Sequence, residues 1–220
     1  MTDQSPLSEG RPWMVFLLIV LCVLPELVLQ GADWGLWAST RLRSLTYQNG
    51  AFWSGLLQGW RPNYAVQPYS MFVTYAFLHA GFGHLVVNMI TLFTLGGSIS
   101  ASLGSWRFLL VYVAAVLGGA LGFGLFGTTI QPMVGASGGL FGLAGAWIVI
   151  DVSATLAERS GLKTLAFAIL WPITLLILLN VVMYWSTGGQ LAWETHLGGF
   201  FAGCLATFLL ARPSTPERLP

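Results

Sequence analysis

The sequence predicts an all-α integral membrane protein, a six-helix bundle with both termini in the cytoplasm, and three observations predict it. Hydrophobic residues make up 55% of the 220 and charged residues only 8%, against roughly 25% charged in an ordinary soluble domain. Mean hydropathy is +0.74. The apolar residues gather into six runs close to the length of about 20 residues that crosses roughly 30 Å of hydrocarbon. A net charge of +1 supplies no basic field for nucleic acid, so partners are expected in the membrane, as lipid and as other transmembrane proteins. Cys22 and Cys204 lie inside apolar runs and read as packing residues rather than a disulfide framework.

A short cytoplasmic tail, 1–12, leads into the first run at 13–30. Asp3 and Glu9 accompany Arg11 in that tail and no small-x-small cleavage site follows, so the run reads as a span and not as a signal peptide. The segment 31–70 is polar by comparison and rich in tryptophan (Trp34, Trp37, Trp53, Trp60) and arginine (Arg41, Arg43, Arg61). Amphipathic rings favour the headgroup zone, and the segment is expected to lie along the membrane surface. Runs at 83–100, 108–126, 137–152, 164–184 and 191–211 complete the membrane domain, 13–211, and 212–220 forms a second cytoplasmic tail. With six spans, Arg11, Arg107, Arg159, Lys163, Arg212 and Arg218 fall on one side and only the three arginines of 31–70 on the other. The positive-inside rule makes the first side cytoplasmic.

Polar groups at membrane depth then stand out. Ser137 opens the fourth span, His196 lies near the start of the sixth, and His84 and Asn88 occupy the first turns of the second. All three spans start from the outer face, which sets the four groups at one shallow depth. Polar side chains in hydrocarbon are costly and face a bundle interior or a wet cavity, so their clustering invites a functional reading. His196, Gly199 and Gly203 share one helical face, while Gly138, Gly142 and Gly145 form a second smooth stripe beside Ser137. Helices carrying such stripes approach backbone to backbone. That approach would let a serine hydroxyl reach an imidazole, the requirement for an activated nucleophile. His84 and Asn88, at i and i+4, could aim two donors at one point, as a developing oxyanion requires.

The run Gly135-Ala136-Ser137-Gly138, the run Thr195-His196-Leu197-Gly198-Gly199 with Gly203, and His84-x-x-x-Asn88 after Phe77-Leu78-His79 together resemble the rhomboid intramembrane serine proteases, over roughly residues 72–210. The resemblance implies a six-helix core in which Ser137 is the nucleophile and His196 the general base. It also implies an oxyanion hole of His84, Asn88 and the Ser137 backbone N–H, with Phe141 packed on the histidine ring. No metal and no cofactor is called for, and the implied substrates are single-pass transmembrane proteins cut near the outer membrane face; with no organelle-targeting leader read in the sequence, a bacterial plasma membrane is the expected location. The chain departs from the family pattern in two places: Ser70-Met71 stands where a Trp-Arg pair is common, and 95–100 holds no carboxylate.

Glu194 is two residues from His196, about 200° around a helix, and so is turned away from it; the residues read as a dyad. A transporter would show internal repeats and midplane carboxylates, and none are found. A non-catalytic rhomboid relative, serving binding or quality control, would be expected to have lost the serine or the histidine, and both are present.

Overall fold

The computed structural model describes residues 12–37 and 39–211. The expected tails, with Arg11, Arg212 and Arg218 on which part of the orientation argument rests, lie outside the described residues. The described chain is helical, with eight α-helices: α1 Trp13–Asp33, α2 Leu42–Gly50, α3 Gln67–Thr74, α4 Phe82–Leu103, α5 Ser105–Phe126, α6 Ser137–Ala157, α7 Leu162–Ser186 and α8 Trp193–Leu210. One-turn 3-10 helices occur at Ser54–Gln58 and Tyr75–Phe77. Five helices, α1, α4, α5, α6 and α7, are long and apolar enough to cross a membrane. The sixth expected span is α8, 18 residues long, whose first turn holds Glu194, Thr195 and His196 and lowers its apolar character.

Five of the helices extend past the expected runs at one or both ends, because isolated polar residues do not end them, while α8 falls within its expected run at 191–211. α6 continues beyond Asp151 and stops where Arg159 takes φ 53°, in the left-handed region. Between α4 and α5 the expected loop contracts to one residue. Gly104, at φ 84°, turns the chain, so that Arg107 sits in the first turn of α5.

Packing is uneven. α5, α6 and α8 form the tightest group, α1 lies on α4, and α7 packs chiefly on α6. A Cβ at Gly142 would stand 2.7 Å from the Gly199 carbonyl oxygen, and one at Gly203 would press on the backbone of Gly142. The two glycine stripes therefore face each other across the α6/α8 crossing, and no larger residue permits that approach. By contrast, only Ala168 among the 25 residues of α7 is buried.

The tryptophan-rich segment folds into α2, the first 3-10 turn and α3, with Trp34 and Trp60 exposed. Two of its ties to the bundle hold the site region. Phe52, fully buried, forms an isolated antiparallel bridge with Met133 and packs edge-on against Phe72 and Phe123. Arg43 on α2 makes a bidentate pair with Glu26 of α1 (2.8 and 2.9 Å) and a further bond to Asp33 (2.6 Å). Glu26 is 1% exposed, a carboxylate that only such a partner allows at this depth.

Candidate active site

The loop 127–136 delivers Ser137 to the first position of α6. Irregular backbone is tolerated at membrane depth only where protein or water satisfies it, and here protein does. Phe52 and Met133 exchange N–H to carbonyl bonds at 3.0 Å, and the Gly135 N–H donates to the Tyr75 carbonyl at 3.0 Å. Tyr75 is itself fully buried, its hydroxyl donating to the Val116 carbonyl of α5 at 2.8 Å. Gly135 has φ 127°, and a Cβ there would meet the His84 ring at 2.7 Å. Glycine is needed twice at that point, for the dihedral and for the close approach of the loop to His84.

Ser137 Oγ lies 3.0 Å from His196 Nε2. The α6/α8 crossing is what brings them together, since Gly138 and Gly199 stand one and three residues from the pair on the contacting faces. The His196 ring is 3% exposed and stacks on Phe141, with ring centroids 4.0 Å apart and planes 5° from parallel. A flat stack of this kind opposes rotation of the imidazole about Cβ–Cγ, which would tip the ring off Phe141. Its second nitrogen, Nδ1, lies 2.7 Å from Asn180 Oδ1 on α7. Sequence reasoning missed Asn180. The signal was present, as Asn180 is a lone amide near the C-terminal end of a run of apolar residues, but nothing in its spacing ties α7 to α8. Glu194 is buried, and its backbone carbonyl lies against Gly122 of α5.

His84 and Asn88 stand on the first two turns of α4. The His84 Nδ1 accepts the Ala80 N–H at 3.3 Å, which leaves Nε2 to carry the ring proton, on the side where the ring meets Gly135. Asn88 is 4% exposed and gives one amide hydrogen to the His84 carbonyl at 3.0 Å, keeping a second in reserve. The Ser137 N–H belongs to the first turn of α6, whose N–H groups have no partner within the helix and gather the positive end of its dipole. The site is thus a hydroxyl against an imidazole nitrogen, with candidate donors on α4 and at the α6 N-terminus.

Behind His84 sits His79, fully buried in the loop that leads into α4, its ring 5.4 Å from that of His84. Among the described residues neither ring nitrogen has a hydrogen-bond partner. Burial first, and then the neighbouring His84, lower its pKa to about 3. The His79 carbonyl accepts from Arg43 Nη1 (2.9 Å) and Tyr47 Oη (2.6 Å). Through that carbonyl the Arg43–Glu26 pair holds the loop from which His84 is presented. A cavity of about 570 Å³ opens between α7 and α8 beside His196 and Asn180, its walls otherwise aliphatic and aromatic.

A family model described as the rhomboid domain matches residues 57–213. Rhomboid protease GluP of Bacillus subtilis (strain 168) is 27% identical over 214 residues, covering 96% of this chain and 38% of its own length. RHOMBOID-like protein 5 of Arabidopsis thaliana is 35% identical over 150 residues, 65% of this chain and 46% of that protein. YdcA of Bacillus subtilis (strain 168) is 29% identical over 171 residues, 76% of this chain and 79% of YdcA. The chain spans less than half the length of the first two of these relatives.

Proposed function

Because the chain belongs to the rhomboid family, we propose that it is an intramembrane serine endopeptidase that cuts transmembrane helices near the outer membrane face through Ser137 and His196. The observation that carries this reading is the 3.0 Å approach of the Ser137 hydroxyl to a ring nitrogen of a histidine held flat on Phe141. His196 Nε2 takes the proton of Ser137 as Oγ attacks the scissile carbonyl, and the negative charge passes to the carbonyl oxygen. Three donors are available for that charge: the Ser137 N–H, the His84 Nε2–H and the free amide hydrogen of Asn88. They are stronger here than in water because the surroundings are apolar and the donors are already oriented. The protonated His196 then gives its proton to the leaving amine. Water, deprotonated in turn by His196, hydrolyses the acyl-enzyme and restores the serine.

In this reading α8 is the sixth span, both termini are cytoplasmic and the loop 127–136 lies at the outer face. The test uses the protein reconstituted with a single-pass substrate in liposomes. Ser137→Ala and His196→Ala should each abolish cleavage, and the double variant should be no worse than either, because the two residues act as one unit. With Cys22 and Cys204 replaced, a cysteine at Thr128 should react with an impermeant thiol reagent from outside, and one at Ser160 should not. Cleavage surviving in either single variant would remove the catalytic assignment, and the reverse labelling pattern would invert the topology.

A further inference from the structure

We infer that Asn180 is a positioning residue for the general base: its side-chain carbonyl on α7 accepts the Nδ1–H of His196 and so fixes the one imidazole tautomer able to deprotonate Ser137. The inference rests on the protease reading above and adds to it a residue on a different helix.

The geometry decides the direction of the bond. Asn180 Nδ2 donates to the Leu176 carbonyl of its own helix at 2.9 Å, and Oδ1 faces His196 Nδ1 at 2.7 Å. Turning the amide over would set Oδ1 against the Leu176 carbonyl, two acceptors in contact. It would also aim an N–H at Nδ1, which would force the ring proton onto Nε2, against the Ser137 hydroxyl. One arrangement satisfies all four groups: Leu176 C=O, Asn180 amide, His196 and Ser137. In it Nδ1 carries the proton and the lone pair of Nε2 meets Ser137 Oγ at 3.0 Å.

The surroundings give Nδ1 little else to choose. Phe141 covers one ring face, and Ile177, Val181, Trp193 and Phe200 are among the walls of the adjoining cavity. A polar group on a lipid-exposed helix is costly unless it has work or a partner, and α7 is the most exposed of the long helices, with Ala168 alone buried. For metal-bound histidines the loss of the orienting partner costs about 10- to 100-fold in activity, and a loss of that order is expected here because both tautomer and ring orientation are released.

The test compares the full chain with Asn180→Leu and Asn180→Asp in liposomes. Two readouts are used: the kinetics of cleavage of a reconstituted transmembrane substrate, and solid-state ¹⁵N spectra of histidine-labelled protein. The chain has three histidines, so the His196 signals are assigned by their loss in His196→Gln. In the parent, His196 should show a protonated Nδ1 and a bare Nε2. Asn180→Leu should lose that preference and about 10- to 100-fold in kcat at nearly constant KM. Asn180→Asp keeps an acceptor toward Nδ1, though its second oxygen meets the Leu176 carbonyl, and should retain the Nδ1–H and more of kcat than Asn180→Leu. A parent tautomer protonated on Nε2 overturns the inference. So does a kcat unchanged in Asn180→Leu, a loss confined to KM, or an equal loss in both variants with the tautomer unmoved. The spectra are read without any catalytic turnover. A protein that cleaves nothing but holds the Nδ1–H tautomer therefore refutes the protease reading, while an active protein with no tautomer change in Asn180→Leu refutes only this one. Should Asn180→Leu fail to fold, the parent spectrum and Asn180→Asp still decide.

Discussion

Gly199→Ala is predicted to disable the site without touching it. A methyl at Gly199 would lie 2.7 Å from the Gly138 carbonyl carbon, nearer still to its oxygen, and 3.1 Å from its Cα. Ordinary contact begins at 3.4 Å, and the obstacle is helix backbone on both sides, so α6 and α8 must part by about 1 Å. His196 is three residues ahead of Gly199 on the same face and Ser137 adjoins Gly138, so the 3.0 Å bond between them opens to about 4 Å, beyond hydrogen-bonding range. Overpacking of this kind costs about 1–3 kcal/mol of stability, and a misplacement of about 1 Å costs about 100-fold in rate. The assay is cleavage of a liposome-reconstituted transmembrane substrate, with a thermal melt beside it. Gly97→Ala on α4 is the control: nothing lies within 4 Å of its Cβ position, so it should keep parental turnover and gain about 0.5–1 kcal/mol. Equal, near-parental turnover in both variants would refute the argument that the glycine crossing sets the serine–histidine distance.

Three further outcomes follow from the same geometry. Asn88→Ala should lower kcat by about 10- to 1000-fold with little change in KM, while a fluorophosphonate still labels the serine slowly, because one oxyanion donor is lost and the nucleophile is not; complete loss of labelling in a folded protein would mean that Asn88 only holds helices together. Glu26→Leu takes the bidentate carboxylate from Arg43, leaving it Asp33 and the His79 carbonyl, and should destabilise the protein by about 1.5–3 kcal/mol, whereas Glu26→Leu with Arg43→Leu should recover part of it; a double variant no better than the single would show that the pair matters through other contacts. His79 titrates at about 3 when folded against an ordinary 6.5, so the unfolded chain binds the extra proton between those values and stability, full above pH 6.5, falls on acidification, by about 2 kcal/mol at pH 5. Melts at pH 7.5 and pH 5 should record that difference, and His79→Phe should flatten it; a slope unchanged in His79→Phe would assign the effect to another group.

The parts of the molecule that the sequence made legible are those governed by local periodicity. Long apolar runs marked the helices, and the facing stripes of Gly138, Gly142, Gly199 and Gly203 foretold a backbone-close crossing, since only small residues allow one. Helix ends were less legible. A single glycine at 104 does the work of an expected loop, because a left-handed φ turns the chain in one residue. The segment 31–70 showed its amphipathic character but not its folding into α2 and α3. Its order comes from long-range pairings, Phe52 with Met133 and Arg43 with Glu26, which no spacing announces. Asn180 stayed hidden for the same reason: its partner is 16 residues away on another helix.

The most direct measurement is the mass-mapped site of fluorophosphonate labelling on the membrane-embedded protein. The account predicts one adduct, on Ser137, absent in Ser137→Ala and formed far more slowly in His196→Ala, because the hydroxyl is reactive only with that imidazole beside it. An adduct that persists in Ser137→Ala, or a His196→Ala protein labelled as fast as the parent, would contradict it.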